Sequence, residues 1–252
     1  NPAVVISTES LPEWTVGIEY EQQLESTGGT GSINWSDSDN GLDGTGLSLS
    51  LAGAVSGTPS STDPISFTAH AEDITSSSDE RLFEITINPA VNITTNLVPS
   101  GLVSEAYSHQ LESEGGTMPL AWTDLNNDLD GSGLSLSSDG LLSGTPPDAG
   151  IYTFTAQVID AAGSADQQEF SVNIGVPYIC GDANNDEEVN VSDAVMIINY
   201  VFMGSSPPDP LEAGDSNCDA SVNISDAVML INYIFVGGEA PCDPSGDGNP
   251  DC

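Results

Sequence analysis

The chain has 252 residues, which is enough for two or three domains. It carries 39 acidic residues against a single basic residue, Arg81, and its formal net charge is −38. Phosphate groups and anionic headgroups repel such a surface, so nucleic acid and anionic membranes are poor partners. No stretch approaches the roughly 18 uninterrupted apolar residues of a membrane span. The chain begins at Asn1 rather than Met, and we expect it to be a processed or excised piece.

The first two thirds of the chain contain two copies of one sequence repeat. A shift of 87 residues (88 − 1) aligns the two copies almost without gaps, which predicts repeats over 1–87 and 88–175. The aligned pairs include Asn1 with Asn88, Tyr20 with Tyr107, Leu24 with Leu111, Trp35 with Trp122, Gly57-Thr58-Pro59 with Gly144-Thr145-Pro146, and Phe67-Thr68-Ala69 with Phe154-Thr155-Ala156.

Each repeat reads as short strands between turns rich in glycine, proline and serine. The segments 151–159 and 169–174 alternate apolar and polar residues with period two, and about seven such runs per repeat predict a β-sandwich with its tryptophan in the core. The pattern Gly-Leu-Ser-Leu-Ser followed by Gly-Thr-Pro and Phe-Thr-Ala resembles bacterial repeats of the putative-Ig family. Those repeats belong with the dystroglycan-type cadherin-like sandwiches. The resemblance implies an Ig-like fold and says little about function.

Acidic residues also recur at one turn of each repeat. Carboxylates clustered in a glycine-rich loop suit Ca²⁺, which prefers oxygen ligands. The alternative is an ordinary Asp-Gly turn with solvated carboxylates. The candidate residues are Asp37 and Asp43 in the first repeat, and Asp124, Asp128 and Asp130 in the second.

A second duplication follows, with a period of 33 residues (215 − 182). Each copy places oxygen-bearing side chains at positions 1, 3, 5, 9 and 12 of a 12-residue loop, and position 7 supplies a backbone carbonyl. That spacing wraps a hard cation in oxygen ligands, so the two loops predict two Ca²⁺ sites. The first site comprises Asp182, Asn184, Asp186, Glu188, Asn190 and Asp193; the second comprises Asp215, Asn217, Asp219, Ser221, Asn223 and Asp226.

Each loop runs into an amphipathic helix that ends at a glycine, Gly204 or Gly237. The predicted apolar faces are Val191, Ala194, Val195, Ile198, Val201 and Phe202 in the first helix, and Ile224, Ala227, Val228, Ile231, Ile234 and Phe235 in the second. A loop followed by a helix, twice, without an entering helix and with Asp at position 12, resembles the type I dockerin family over about residues 178–242. That resemblance implies a non-catalytic module that folds around two calcium ions and docks onto a cohesin partner.

The chain departs from this family at the positions that select the partner. Cellulosomal dockerins usually carry paired hydroxyls at loop positions 10 and 11, and basic residues further along the helix. Here the loop positions are Val191-Ser192 and Ile224-Ser225, and the helix positions carry Ile198-Asn199 and Ile231-Asn232. The calcium chemistry therefore transfers from the resemblance, whereas the partner specificity does not.

All four cysteines lie in the last third of the chain, and four cysteines allow three connectivities. We favour Cys180–Cys218 together with Cys242–Cys252. The tail over 243–252 resembles a truncated calcium loop and a thrombospondin type 3 unit, and its alternative is a plain acidic tail. The candidate ligands in the tail are Asp243, Ser245, Asp247, Asn249 and Asp251.

The predicted fold class is mainly β with a small α module. Two tandem Ig-like β-sandwiches, 1–87 and 88–175, precede a dockerin-like pair of calcium loop-helix motifs over 176–242 and the tail. An enzyme is not expected, because His70 and His109 occupy unmatched repeat positions and no nucleophile, phosphate-loop or zinc motif is present.

We therefore expect a non-enzymatic, extracellular, calcium-binding interaction protein on a prokaryotic cell surface or appendage. In one interpretation the chain assembles with itself into a fibre, sheath or array. In the other it is the docking end of a secreted, possibly hydrolytic protein, and it binds a separate cohesin-like receptor. We expect any association with carbohydrate to be indirect. The segment Ala3-Val4-Val5-Ile6 is either the first strand of its own sandwich or a donor strand for another copy.

Overall fold

The computed structural model describes residues 1–242 and separates into two units, Asn1–Ile174 and Gly175–Cys252. The first unit holds both repeats, and the second holds the duplicated loops. The tail candidates Asp243, Ser245, Asp247, Asn249 and Asp251 lie outside the described residues. Within the described part of the chain, neither helix has the length and apolar character needed to cross a membrane.

The first repeat folds as short antiparallel strands in two layers. One sheet has the order β5-β8-β9 and the other has the order β3-β7-β6, while β1 pairs with β4 and β2 pairs in parallel with β10. The strands are β1 (Val5–Ile6), β2 (Trp14–Thr15), β3 (Tyr20–Gln23), β4 (Ser26–Thr27), β5 (Ile33–Asp37), β6 (Leu47–Leu49), β7 (Ala54–Gly57), β8 (Ile65–Asp73), β9 (Ser78–Ile85) and β10 (Ile87–Asn88).

The second repeat has the same layers. Its sheets have the orders β12-β19-β18-β15 and β13-β17-β16, and β11 pairs with β14. Its strands are β11 (Asn92–Ile93), β12 (Gly101–Leu102), β13 (Tyr107–Gln110), β14 (Ser113–Glu114), β15 (Ala121–Asp124), β16 (Leu134–Leu136), β17 (Leu141–Gly144), β18 (Gly150–Ile159) and β19 (Ala165–Gly175).

The two sandwiches match in register as well as in strand order. Phe67 stands opposite Phe83, and the residues 87 positions later, Phe154 and Phe170, are also paired; the stacked ring centroids lie 5.7 and 5.6 Å apart. Both tryptophans are buried in the cores. The alternation of apolar and polar residues places one face of each long strand in the core, which confirms the predicted Ig-like fold class.

The N-terminal segment belongs to its own sandwich. Val5 and Ile6 form β1, which pairs with β4, and the side chains of Val4 and Ile6 are buried in the first core. The backbone amide of Ile6 also donates to the carboxylate of Asp79, at 2.8 Å. Burying these side chains stabilises the segment within the first sandwich. The segment is therefore not available as a donor strand for another copy.

The second unit contains two helices of equal length, α1 (Val191–Met203) and α2 (Ile224–Val236), and a 3-10 turn over Leu211–Gly214. Asn190 and Asn223 cap the helix N-termini. Gly204 and Gly237 end the helices in the left-handed conformation, as the sequence predicts. The helices pack on a small core whose buried members are Ala183, Ala194, Ile197, Ala227 and Leu230.

The predicted helix faces are wrong in part. Ala194 and Ala227 are buried as expected, but Ile197 and Leu230 complete the contact between the helices. Both helices are apolar on more than one side, so helical spacing alone does not identify the buried face. The predicted face residues that stay exposed are Val191, Val195, Val201 and Phe202 in α1, and Ile224, Val228, Ile231 and Phe235 in α2.

The disulfide pairing expected from the sequence is also wrong. Cys180 bonds to Cys242, whose Cα atom lies 6.0 Å away, so neither Cys180–Cys218 nor Cys242–Cys252 forms. The bond joins the start of the first loop to the segment after α2. The backbone amide of Cys242 donates to the carbonyl of Ser216 at 2.7 Å, and the amide of Gly181 donates to Ala213 at 2.8 Å. The two loop-helix copies are thus tied together at the loops.

Candidate calcium site

The first loop is organised around the buried carboxylate of Asp182 at position 1. Its Oδ1 accepts the backbone N–H of Asp186 at 3.0 Å, and its Oδ2 accepts the N–H of Glu187 at 2.8 Å. A carboxylate that accepts amides four and five residues later curls the backbone around itself. The chain therefore forms a closed loop before any helix begins.

Asp193 at position 12 closes the other side of that loop. Its Oδ1 accepts the N–H of Asn184 at 3.0 Å, and its Oδ2 accepts the N–H of Asn190 at 2.8 Å. The second contact is one half of a capping box, because the Asn190 side chain in turn caps α1. One carboxylate thus fixes the loop and the first turn of the helix together.

An unpaired oxygen inside the first loop tests whether a cation fits there. The side-chain Oδ1 of Asn184, at position 3, is buried and accepts no hydrogen bond. A buried oxygen without a donor costs about 1–3 kcal/mol, so such an atom needs a partner. The residues around it supply carboxylate, amide and carbonyl oxygens, which are the ligands of a hard cation such as Ca²⁺. The donor set therefore fits calcium.

The second loop repeats this network contact for contact. Asp215 accepts the N–H groups of Asp219 and Ala220 at 3.1 and 2.8 Å. Asp226 accepts those of Asn217 and Asn223 at 3.2 and 2.8 Å. The loops differ at position 3, because Oδ1 of Asn217 accepts the Asp219 amide at 3.0 Å and so is not left unpaired.

Both loops turn through left-handed backbone at positions 4 and 6. The φ angles are 58° at Asn185 and 69° at Glu187, and 56° at Cys218 and 65° at Ala220. Calcium loops of the EF-hand type place glycine at position 6 for this turn. Here a residue with a Cβ adopts the same conformation, at some cost in strain.

The electrostatics of the loops favour a cation. Burial raises the pKa of the Asp193 carboxyl, and the charges of Asp182 and Asp186 raise it further, against the opposing effect of the backbone amides. Burial likewise raises the pKa of Asp226, helped by the charges of Asp215 and Asp219. Each position-12 carboxylate thus sits in negative potential that a dication would relieve.

The remaining predicted ligands are less enclosed. Asp186, Glu188, Asp219 and Ser221 are exposed, and Asn190 and Asn223 are half-buried. Across the described residues 1–242, no three acidic, histidine or cysteine side chains converge on one point. The side chains at positions 1, 3 and 12 are thus buried or half-buried, whereas those at positions 5 and 7 are exposed.

The acidic turns of the sandwiches have another organisation. Oδ2 of Asp37 accepts the N–H of Leu42, and Oδ2 of Asp124 accepts that of Leu129, both at 2.9 Å. Asp43, Asp128 and Asp130 are exposed. Oδ1 of Asp124 is buried without a hydrogen bond. The hydrogen bonds from Leu42 and Leu129 close the two turns, and calcium binding at these residues stays a prediction.

The exposed apolar residues on the helices were missed as a surface by the sequence reasoning. Val191, Val195 and Phe202 are 47, 48 and 66% exposed. Their counterparts Ile224, Val228 and Phe235 are 43, 48 and 67% exposed. Such closely matched exposure in both copies makes this apolar stripe a property of the repeated unit. The usable signal was that both helices carry more apolar residues than one buried face needs.

Comparison with known proteins agrees with this architecture. Residues 180–240 match the family model described as Dockerin type I domain, and residues 89–175 match the Putative Ig domain. The chain therefore contains a type I dockerin domain behind an Ig-like domain. Both are classes of non-catalytic module, the first of which binds calcium and docks onto cohesin partners.

Solved structures similar to this chain include proteins made of Ig domains. The I-band fragment I67–I69 of titin has a TM-score of 0.42 and 16% identity, over 70% of this chain and 67% of that chain. Extracellular domains 3–5 of Drosophila OTK have a TM-score of 0.33 and 10% identity, over 68% and 61%. The chain spans about two thirds of these structures. No curated protein sequence matched it.

Proposed function

We propose that the C-terminal unit is a calcium-dependent docking module of an extracellular, non-catalytic interaction protein. Calcium held by Asp182, Asn184, Asp186, Asn190 and Asp193, with the carbonyl of Glu188, orders the first loop. The second ion is held by Asp215, Asn217, Asp219, Asn223 and Asp226, with the carbonyl of Ser221. When bound, the ions neutralise clustered carboxylates that otherwise repel one another.

The observation that carries the docking proposal is the pair of matching apolar stripes. Monomeric proteins seldom expose a contiguous apolar patch of several hundred Å², and such patches mark contact sites. Each stripe begins at the first residue of its helix, Val191 or Ile224, which is also position 10 of the calcium loop. An ordered loop therefore holds the start of the stripe in place. Phe202 and Phe235 are large aromatic side chains of the kind that anchor protein interfaces.

The proposed partner is a separate cohesin-like protein rather than a second copy of this chain. The stripes are apolar, and the described helices carry no basic residue, so the complementary surface is an apolar patch. Strand donation is not available for self-assembly, because the candidate donor residues Val4 and Ile6 are buried in their own sandwich. Assembly of this chain into a fibre or sheath is the alternative that the test below distinguishes from docking.

The test combines light scattering with calorimetry on the full chain in millimolar calcium and in excess chelator. We expect a monomer in both conditions and calcium-dependent binding to at least one member of a panel of purified type I cohesins. The double variant Phe202→Ser/Phe235→Ser should lose that binding and retain two calcium ions. Leu51→Ser, which alters an equally exposed residue of the first sandwich, is the matched control and should bind normally.

Two outcomes would contradict the proposal. Calcium-dependent growth in mass that is abolished by Phe202→Ser/Phe235→Ser would assign the stripes to self-assembly. Binding that persists unchanged in that variant would place the contact elsewhere on the chain.

A further inference from the structure

The contact between the two sandwiches is built on a closed ring of buried polar groups. The Thr15 hydroxyl of β2 is fully buried, and its neighbours Thr117 and Asp160 of the second sandwich are each 5% exposed. Thr15 Oγ1 bonds to Oδ2 of Asp160, and it lies 2.8 Å from Oγ1 of Thr117. The amide of Thr117 donates to the same Asp160 oxygen at 2.9 Å.

The donor directions in this ring follow from its chemistry. An ionised carboxylate only accepts, so the Thr15 hydroxyl donates to Asp160. The Thr117 hydroxyl then donates to Thr15, and Nδ2 of Asn88 donates to Thr117 Oγ1 at 3.2 Å. Every hydroxyl is both donor and acceptor, so the buried polar atoms of the joint are satisfied.

The same half-joint is present at the opposite end of the first sandwich. Nδ2 of Asn1 donates to Oγ1 of Thr30 at 3.2 Å, and the amide of Thr30 donates to Oδ2 of Asp73 at 2.7 Å. Oδ1 of Asp73 accepts the Ser77 amide at 2.9 Å, as Oδ1 of Asp160 accepts that of Ser164 at 2.7 Å. These residues are the 87-residue counterparts of the residues in the joint.

One group of the ring is missing at this end. Within residues 1–242, nothing takes the place of Thr15 between the Thr30 hydroxyl and the Asp73 carboxylate. Thr30 and Ser77 are half-buried, whereas Thr117 and Ser164 are buried. Ile74, next to Asp73, is 66% exposed. The end is therefore preformed and uncovered, with an apolar side chain beside an open hydrogen-bond ring.

We propose that this N-terminal pole, formed by Asn1, Thr30, Asp73, Ile74 and Ser77, is a docking site for the β2-bearing end of another Ig-like sandwich. The incoming end presents a hydroxyl in the place of Thr15 and closes the ring on Asp73. A second copy of this chain is not the occupant, because its own Thr15 is already covered by its second sandwich. The second sandwich carries Leu102 at the equivalent position, which has no hydroxyl to offer.

The test uses the full chain and an extended chain in which a second copy of residues 1–87 is joined in front of Asn1. Hydrogen exchange is followed by NMR at the amides of Thr30 and Thr117. In the unextended chain, Thr117 should exchange more slowly than Thr30. In the extended chain, Thr30 should slow by about tenfold or more and approach Thr117, because its bond to Asp73 becomes covered.

Thr15→Val in the added copy is the matched variant, since valine keeps the shape and removes the hydroxyl. It should return Thr30 toward its rate in the unextended chain and leave Thr117 unchanged. The same substitution in the original copy should do the reverse. Unchanged Thr30 exchange in the extended chain would overturn the proposal. Thr30 protection that rises with concentration of the unextended chain would also overturn it, and would assign the pole to self-association.

Discussion

The sandwiches and the C-terminal module hold their folds by different means. The first sandwich buries large side chains such as Tyr20, Phe67 and Phe83, and the second is built alike. Among the described residues, the core cluster of the module consists of Ala183, Ala194, Ile197, Ala227 and Leu230, three of which are alanines. Small cores rarely suffice alone, and small domains add disulfides or metals. The chain thus joins two sandwiches with large apolar cores to a module that has a small core and a disulfide.

Removal of calcium should have the largest effect, because it should unfold the module and leave the sandwiches folded. We expect excess chelator to abolish most of the helical circular dichroism signal, while the β signal of the sandwiches persists. The stabilisation lost is about 4 kcal/mol if free calcium stands at a thousand times the dissociation constant. Full helicity in chelator would contradict the dependence of the module on calcium.

Loss of one position-12 carboxylate should have the next largest effect. Asp193→Ala and Asp226→Ala should each reduce the calcium stoichiometry from two to one by calorimetry, and each also removes half of a capping box. Glu187→Gln removes an exposed charge from the same loop and should retain both ions. Two ions bound in both alanine variants would show that the loops are misassigned.

Loss of the disulfide should also destabilise the module and leave the sandwiches unchanged. Replacing both partners, as Cys180→Ser/Cys242→Ser, should destabilise the module by about 2–4 kcal/mol through the released loop entropy. Differential scanning calorimetry in saturating calcium should show a lower transition for the module and an unchanged one for the sandwiches. An equal shift of both transitions would mean that the bond stabilises more than its own unit.

The smallest expected effect is a difference in stability between variants of the two sandwiches. Burial raises the pKa of both Tyr20 and Tyr107, but only the Tyr107 hydroxyl has a partner, the Pro99 carbonyl at 2.8 Å. Tyr107→Phe should cost about 1 kcal/mol, whereas Tyr20→Phe should be neutral or slightly stabilising. Urea unfolding measures both. Equal losses would indicate that Tyr20 has a partner in solution.

Much of the fold was predictable because the sequence consists largely of repeats. The 87-residue period aligns Phe67 with Phe154, and the structure keeps that register across both sheets. The 33-residue period predicts both loops and both terminal glycines. Repetition works as evidence because each copy tests the other, and chance patterns do not recur in register.

The failures concern contacts that no local pattern encodes. Cys180 joins Cys242 across 62 residues, a pairing set by how the two loop-helix copies pack. The buried face of α1 comprises Ala194 and Ile197, which pack in one core with residues of α2. The role of Thr15 at the joint was equally hidden, since its partners Thr117 and Asp160 belong to the other repeat.

The capping boxes have a kinetic consequence. Starting a helix is the slow and unfavourable step, because several residues must be fixed for the first hydrogen bond. In each copy the side chains that close the loop, Asn190 with Asp193 and Asn223 with Asp226, also fix that first turn. Closing each loop therefore also orders the first turn of its helix, which lowers the cost of starting that helix at its loop.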